Sequence, residues 1–173
     1  MIPELGQLCL ILALCLATCQ TLFTLVGAHR GQPGLMAVGP TAAAGQFVFV
    51  AGAFGLLAWS FLHNDFSILY VASNSNSKLP EIYRFAAVWG GHEGSLLLWV
   101  LILSGWTIAV TALSGALPRE IAARITGVMG AVSVGFLAFI LFTSNPFLRL
   151  SPVPFDGNDL NPLLQDPAMA MHP

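Results

Sequence analysis

Four uncharged runs, Leu5 to Ala28, Thr41 to Leu62, Ser95 to Leu117 and Ile125 to Thr143, constrain this chain more than any other feature. Each is long enough to cross a hydrocarbon core of about 30 Å, which takes roughly 20 apolar residues in a helix. Lipid offers no partner to backbone polar groups, so a spanning run satisfies them internally as an α-helix. With 56% of residues hydrophobic and 8% charged, a soluble domain is excluded. A net charge of −2 and the lack of a Lys/Arg cluster exclude nucleic-acid binding. Leu16-Ala17-Thr18-Cys19 resembles a lipobox, yet the leader M-I-P-E-L-G-Q has no Lys or Arg and the apolar run continues past Cys19. The first run is therefore expected to be a retained helix. The fold class is an all-α polytopic membrane protein with four transmembrane helices.

Four spans return both ends of the chain to one side. The short links carry Arg30, Arg119 and Arg124, whereas Lys78, Arg84 and Arg149 are spread over the longer segments. By the density of cations near span ends, the short links belong in the cytoplasm. The N-terminus, the 63–94 loop and the 144–173 tail are then expected to face outward. The tail is rich in Pro and Asn and reads as an extended segment. Ala51 with Gly55, and Gly127 with Ala131 and Gly135, are small-residue pairs that would let helices approach closely. Gln20 is expected to hydrogen-bond a neighbouring helix. Cys9, Cys15 and Cys19 form no closed disulfide framework and read as packing residues.

Polar chemistry concentrates in the stretch Pro80 to Trp99. Ile82, Phe85, Ala86 and Trp89 follow the template of one helical face, which predicts a short amphipathic helix in the membrane interface. Gly90 and Gly91 would end it. Ser95 is placed to cap the third span, with Glu93 near that helix's positive end. One reading is a structural turn with an aromatic belt. The other is an outward platform for a flat apolar ligand or a partner, built from Trp89, Gly90, Gly91, His92, Glu93, Gly94 and Trp99, with Trp106 two turns further on. His92 is by default a turn histidine, and His29 and His63 are snorkelling or capping residues at span ends.

The joined motifs Y-V-A-S-N-S-N (Tyr70 to Asn76), Y-R-F-A-A-V-W-G-G-H-E-G-S-L-L-L-W (Tyr83 to Trp99), F-T-S-N-P-F (Phe142 to Phe147) and D-L-N-P-L-L-Q-D-P (Asp159 to Pro167) resemble the N-terminal portion of the CcmF family. That family is the haem lyase component of cytochrome c maturation in bacteria and plant mitochondria. The resemblance implies a multi-pass protein of the bacterial or mitochondrial inner membrane, with its N-terminus and tail periplasmic in bacteria. It implies a haem substrate received from a periplasmic haem chaperone, and partner subunits that present apocytochrome c. Family members are much longer, and their tryptophan-rich WWD signature lies beyond the region matched; no Trp-Asp pair occurs here. The expectation is a fragment of a larger helical bundle, completed by further helices of the same protein or of a separately encoded piece.

The resemblance also assigns His172, which matches the first of two periplasmic histidines proposed as axial ligands to the haem iron. His172-Pro173 suits an N-cap and first position of a following helix, whose dipole would keep the imidazole neutral. That role is expected only in the complete protein, and this chain alone is not expected to be catalytic. The alternative function is a non-catalytic scaffold or transporter-like bundle, of which the transport version is weakened by the scarcity of intramembrane ionisable residues.

Overall fold

The structure is a computed structural model that describes residues 1–166 and 168. Seven α-helices follow in order among the described residues: α1 (Ile2–Arg30), α2 (Pro33–Met36), α3 (Val38–Leu62), α4 (Leu69–Asn74), α5 (Glu81–Ala87), α6 (His92–Leu113) and α7 (Arg119–Phe142). Four of them, α1, α3, α6 and α7, are long and apolar enough to cross a membrane, α3 with α2 as its lead-in. Each starts before its uncharged window because a helix's first turn tolerates the flanking residues, whereas α6 stops at Leu113, short of Leu117, where a 3-10 turn over Ser114–Ala116 follows. Pro3 and Pro33 sit in first turns, where the missing N–H has no partner to lose. His29 and Arg30 close α1 beside its negative end, and Gly31 terminates it at φ 62°, in the left-handed region.

The bundle is a ring in which α1 packs along α3 on one side and α7 on the other, while α6 bridges α3 and α7. Glycines set the spacing. A Cβ on Gly39 would stand 2.7 Å from Thr24 Cγ2, one on Gly45 2.9 Å from Leu16 Cδ1, and one on Gly130 2.7 Å from Thr21 Oγ1. Neighbouring backbones approach closely at these points, which supplies the packing that lipid cannot drive by hydrophobicity. The sequence pairs are corrected here: Gly127 does pack, against Thr24 and Leu25, but Ala131 and Gly135 are exposed, and Gly55 faces open space. The buried face of α7 runs instead through Gly127, Gly130, Ser133 and Leu137. Gln20, fully buried, donates from Nε2 to the Thr126 carbonyl at 2.7 Å, the helix-to-helix bond expected of it. Gly130 leaves the room: a Cβ there would lie 2.9 Å from that same Nε2.

The loop between α3 and α6 and the tail after α7 form a cap over one end of this ring. Arg84 bonds through Nη1 to the Leu62 carbonyl at 2.8 Å and through Nε to Leu79 at 2.9 Å, satisfying an end carbonyl of α3. In α5, Ala86 and Ala87 are buried while Ile82 and Phe85 are exposed. The tail pairs with the loop in an isolated antiparallel bridge, Ile68 with Arg149. The ring of Phe147 lies directly on Gly6, Arg149 forms an ion pair with Glu4 at 2.6 Å, and Asn145 bonds Gln7 at 2.7 Å. Further on, Asp156 takes the Ser77 hydroxyl at 2.7 Å and the Ser77 N–H at 2.9 Å. Gly157 sits against the carbonyls of Ser75 and Ala72, a contact no side chain could share.

Two outcomes follow from this packing. Gly130→Ala should destabilise the bundle by about 1–3 kcal/mol through overpacking, whereas Gly55→Ala should be neutral or stabilising by up to about 1 kcal/mol; thermal unfolding in detergent compares them. The Ser77 hydroxyl and N–H hold the Asp156 carboxyl below its ordinary value of 3.8. A carboxylate with a depressed folded pKa contributes fully above its unfolded value and loses that contribution as pH falls through the folded one. Protection of the Gly157 and Asn158 amides, taken relative to the intrinsic exchange rate at each pH, should therefore fall on acidification below 3.8 and be low throughout in Asp156→Asn.

Candidate functional site

The G-G-H-E-G segment folds around one hydroxyl. Tyr70, on α4, is buried, and its Oη accepts the Gly91 N–H at 2.9 Å while directing its proton between the carbonyls of Val88 at 3.2 Å and Ala87 at 3.3 Å. Burial pushes the phenol above its ordinary value and the Glu93 carboxylate adds to the rise, so the group stays protonated and can donate. Gly91 and Gly94 are required by this approach. A Cβ on Gly91 would stand 2.7 Å from the Tyr70 ring, and one on Gly94 would overlap the Val88 carbonyl.

Helix α6 therefore begins at His92, capped by Gly91 in extended backbone, and not at Ser95. This corrects the expected cap: the Ser95 hydroxyl points back to the Trp89 carbonyl at 2.6 Å and the Gly91 carbonyl at 2.8 Å. The tight turn around Tyr70 forces the helix to start early. Glu93 remains in the first turn, where the helix's positive end favours a carboxylate.

Apart from Glu93, in the first turn of α6, the candidate residues described separate into two groups. Trp89 is half-buried, with its ring edge-on to Phe85 at 5.1 Å and 88°, and Gly90 backs onto Leu160 and Leu164 of the tail. Together with Gly91 and Gly94 they belong to the cap. His92 and Trp99, one helical face apart at i and i+7, turn toward α7 instead. The His92 ring stands edge-on to Phe139 at 5.9 Å, with Nδ1 3.1 Å from the Ser144 hydroxyl. Trp99, 62% exposed, packs on Phe136 at 6.5 Å. His92, Leu96, Val132, Gly135, Phe136 and Phe139 line a groove of about 470 Å³. The structure thus splits the single platform read from sequence and adds an α7 wall to the second half.

Tyr70, Ser144, Phe136 and Phe139 were not singled out as site residues from sequence. Tyr70 stood in a quoted motif, but no local pattern reveals what its hydroxyl meets. His172 lies outside the described residues. Among the described residues no group of three His, Cys, Asp or Glu side chains could hold a metal ion, so a metal here would rest on one protein imidazole plus ligands from elsewhere. His63 is stacked on Trp59 at 3.6 Å and 12° at the end of α3, a capping position remote in sequence from the groove.

Comparison with known proteins converges on one group. A model described as Cytochrome C assembly protein matches residues 89–173. The cytochrome c-type biogenesis protein CcmF of Pseudomonas aeruginosa is 61% identical over 174 residues, covering 100% of this chain and 26% of its own length. The corresponding Escherichia coli protein is 55% identical over 174 residues, covering 100% and 27%. Along its whole length the chain is similar to part of the CcmF proteins. A solved structure titled cytochrome c heme lyase CcmF superposes with a TM-score of 0.81 at 27% identity, over 88% of this chain and 26% of that one. The chain spans about a quarter of the length of these relatives. In this chain the W-G-G-H-E-G stretch is first a packing joint, and it presents one imidazole to an apolar groove.

Removing the joint's hydroxyl tests its weight. Tyr70→Phe leaves the part-buried Gly91 N–H without an acceptor, a loss of about 1–3 kcal/mol. The expected result in thermal unfolding is a lowered midpoint with the helical content of α6 retained.

Proposed function

We propose that this chain is the cap and one wall of the haem-handling site in a cytochrome c haem lyase. The observation that carries the reading is His92: an exposed imidazole at the mouth of an apolar groove walled by Phe136, Phe139 and Leu96, at the capped end of the bundle. A porphyrin needs flat apolar contact for its faces and a nitrogen donor near its iron. Trp99 extends the aromatic surface along the same face of α6. Trp89, Gly90, Gly91 and Gly94 hold the geometry, and Glu93 stabilises the start of α6.

In the complete protein His172 would hold the haem iron, and His92 and Trp99 would offer the porphyrin an imidazole and an apolar aromatic surface. Haem is the substrate here, arriving from a periplasmic haem chaperone. Thioether formation adds each cysteine S–H of apocytochrome c across a haem vinyl group, so the protein's share is orientation and exclusion of competing reactions. The cap faces the periplasm, and the partner subunits that present apocytochrome c dock on that side. Similarity to the CcmF proteins supports this reading, and so does the asymmetry of the links: the uncapped end holds Arg30, Arg119 and Arg124.

Complementation with the complete protein provides the test. His92→Ala and Trp99→Ala should each lower the yield of mature cytochrome c and perturb the haem absorption spectrum, while His63→Ala, outside the groove, should leave both unchanged. His172→Ala should remove most bound haem. Unaltered yield and spectrum in His92→Ala would refute the groove, and the same result in His172→Ala would refute the ligand.

A further inference from the structure

The two ends of the bundle treat their arginines differently. At the capped end Arg84 is bonded to Leu62 and Leu79, and Arg149 to Glu4 and Ser67. At the opposite end Arg30, Arg119 and Arg124 have no hydrogen bond or ion pair with any described residue, and the sole acid nearby in sequence is Glu120. Beside them a cavity of about 500 Å³ opens between the start of α3 and the α6–α7 link. Met36, Pro40, Leu117 and Ala123 give it an apolar side, while Thr111, Ser114, Thr126 and the exposed Arg119 supply polar groups. Around it, Leu113 and Ile121 are exposed, as side chains facing hydrocarbon are.

An unpaired guanidinium bordering a cavity with one apolar side, at the end of a membrane bundle, calls for a ligand that is anionic at one end and hydrocarbon along the rest. A guanidinium binds phosphate oxygens through two parallel N–H bonds, and basic pockets between transmembrane helices attract acidic headgroups. We propose that this cavity binds one anionic phospholipid, its phosphate on Arg119 and an acyl chain along the Met36, Pro40 and Leu117 wall. A zwitterionic lipid carries a compensating cation on its headgroup and gains less from the unpaired Arg119. The bound lipid would brace α3 against α6 and α7, the elements that set the groove at the other end.

The test uses the full chain purified in neutral detergent, with native mass spectrometry after addition of phosphatidylglycerol or phosphatidylcholine. One phosphatidylglycerol should be retained per chain in preference to phosphatidylcholine. Arg119→Gln should weaken retention about fivefold, as loss of one cation near a headgroup predicts, and Arg124→Gln, outside the lining, should not. Ala112→Phe, which fills the cavity from an exposed position, should also release the lipid without altering helical content. Equal retention of the two lipids, equal losses in Arg119→Gln and Arg124→Gln, or full retention in Ala112→Phe would overturn the proposal. Displacement of the lipid by millimolar inorganic phosphate would do the same, since it would indicate a free-phosphate site.

Discussion

The Tyr70 hydroxyl is the interaction on which the capped end depends. It is buried among loops that would otherwise have no reason to meet, and it satisfies one N–H and shares its proton between two carbonyls at the junction of α5 and α6. A buried polar group left without partners is costly, so the junction has little freedom to open. Gly91 and Gly94 exist in this geometry because the phenol and the Val88 carbonyl occupy the space of any side chain. Once the turn is closed, α6 has to start at His92, and that start aims the imidazole toward α7.

The membrane-embedded half works by a different rule. Apolar side chains gain nothing from one another that lipid does not also offer, so contact is set by small residues and a few buried polar bonds. α1 is held by α3 and α7 at Gly39, Gly45, Gly127 and Gly130, and Gln20 ties it to Thr126. The tail then fastens the same helix at its other end through Phe147, Asn145 and Arg149. Both halves therefore converge on α1 and on the α6–α7 pair, and the groove beside His92 lies where those constraints meet.

The spans were legible because a long uncharged run has few alternatives in a membrane. Gln20 was legible for the same reason: an amide in lipid needs a partner, and the nearest is another helix. Register was harder. Gly127, Ala131 and Gly135 are spaced for one face, yet α7 buries Gly127 with Gly130, because the partner's Thr21 and Gln20 decide which glycine is needed. Ser95 carried a strong capping signal that lost to a tertiary hydrogen bond, since Tyr70, 21 positions before Gly91, captured the N–H that defines the helix start. The motif W-G-G-H-E-G was visible from the outset, but its division into a packing joint and a groove histidine requires knowing what stands on the far side of each residue.

Amide hydrogen exchange at Gly91, measured on the full chain in a bilayer mimic, tests this account most directly. The Gly91 N–H is on a loop and would exchange quickly if the joint were loose. The account predicts exchange as slow as that of amides in the first turns of α6, because both open together. Rapid exchange at Gly91 beside protected α6 amides would contradict it.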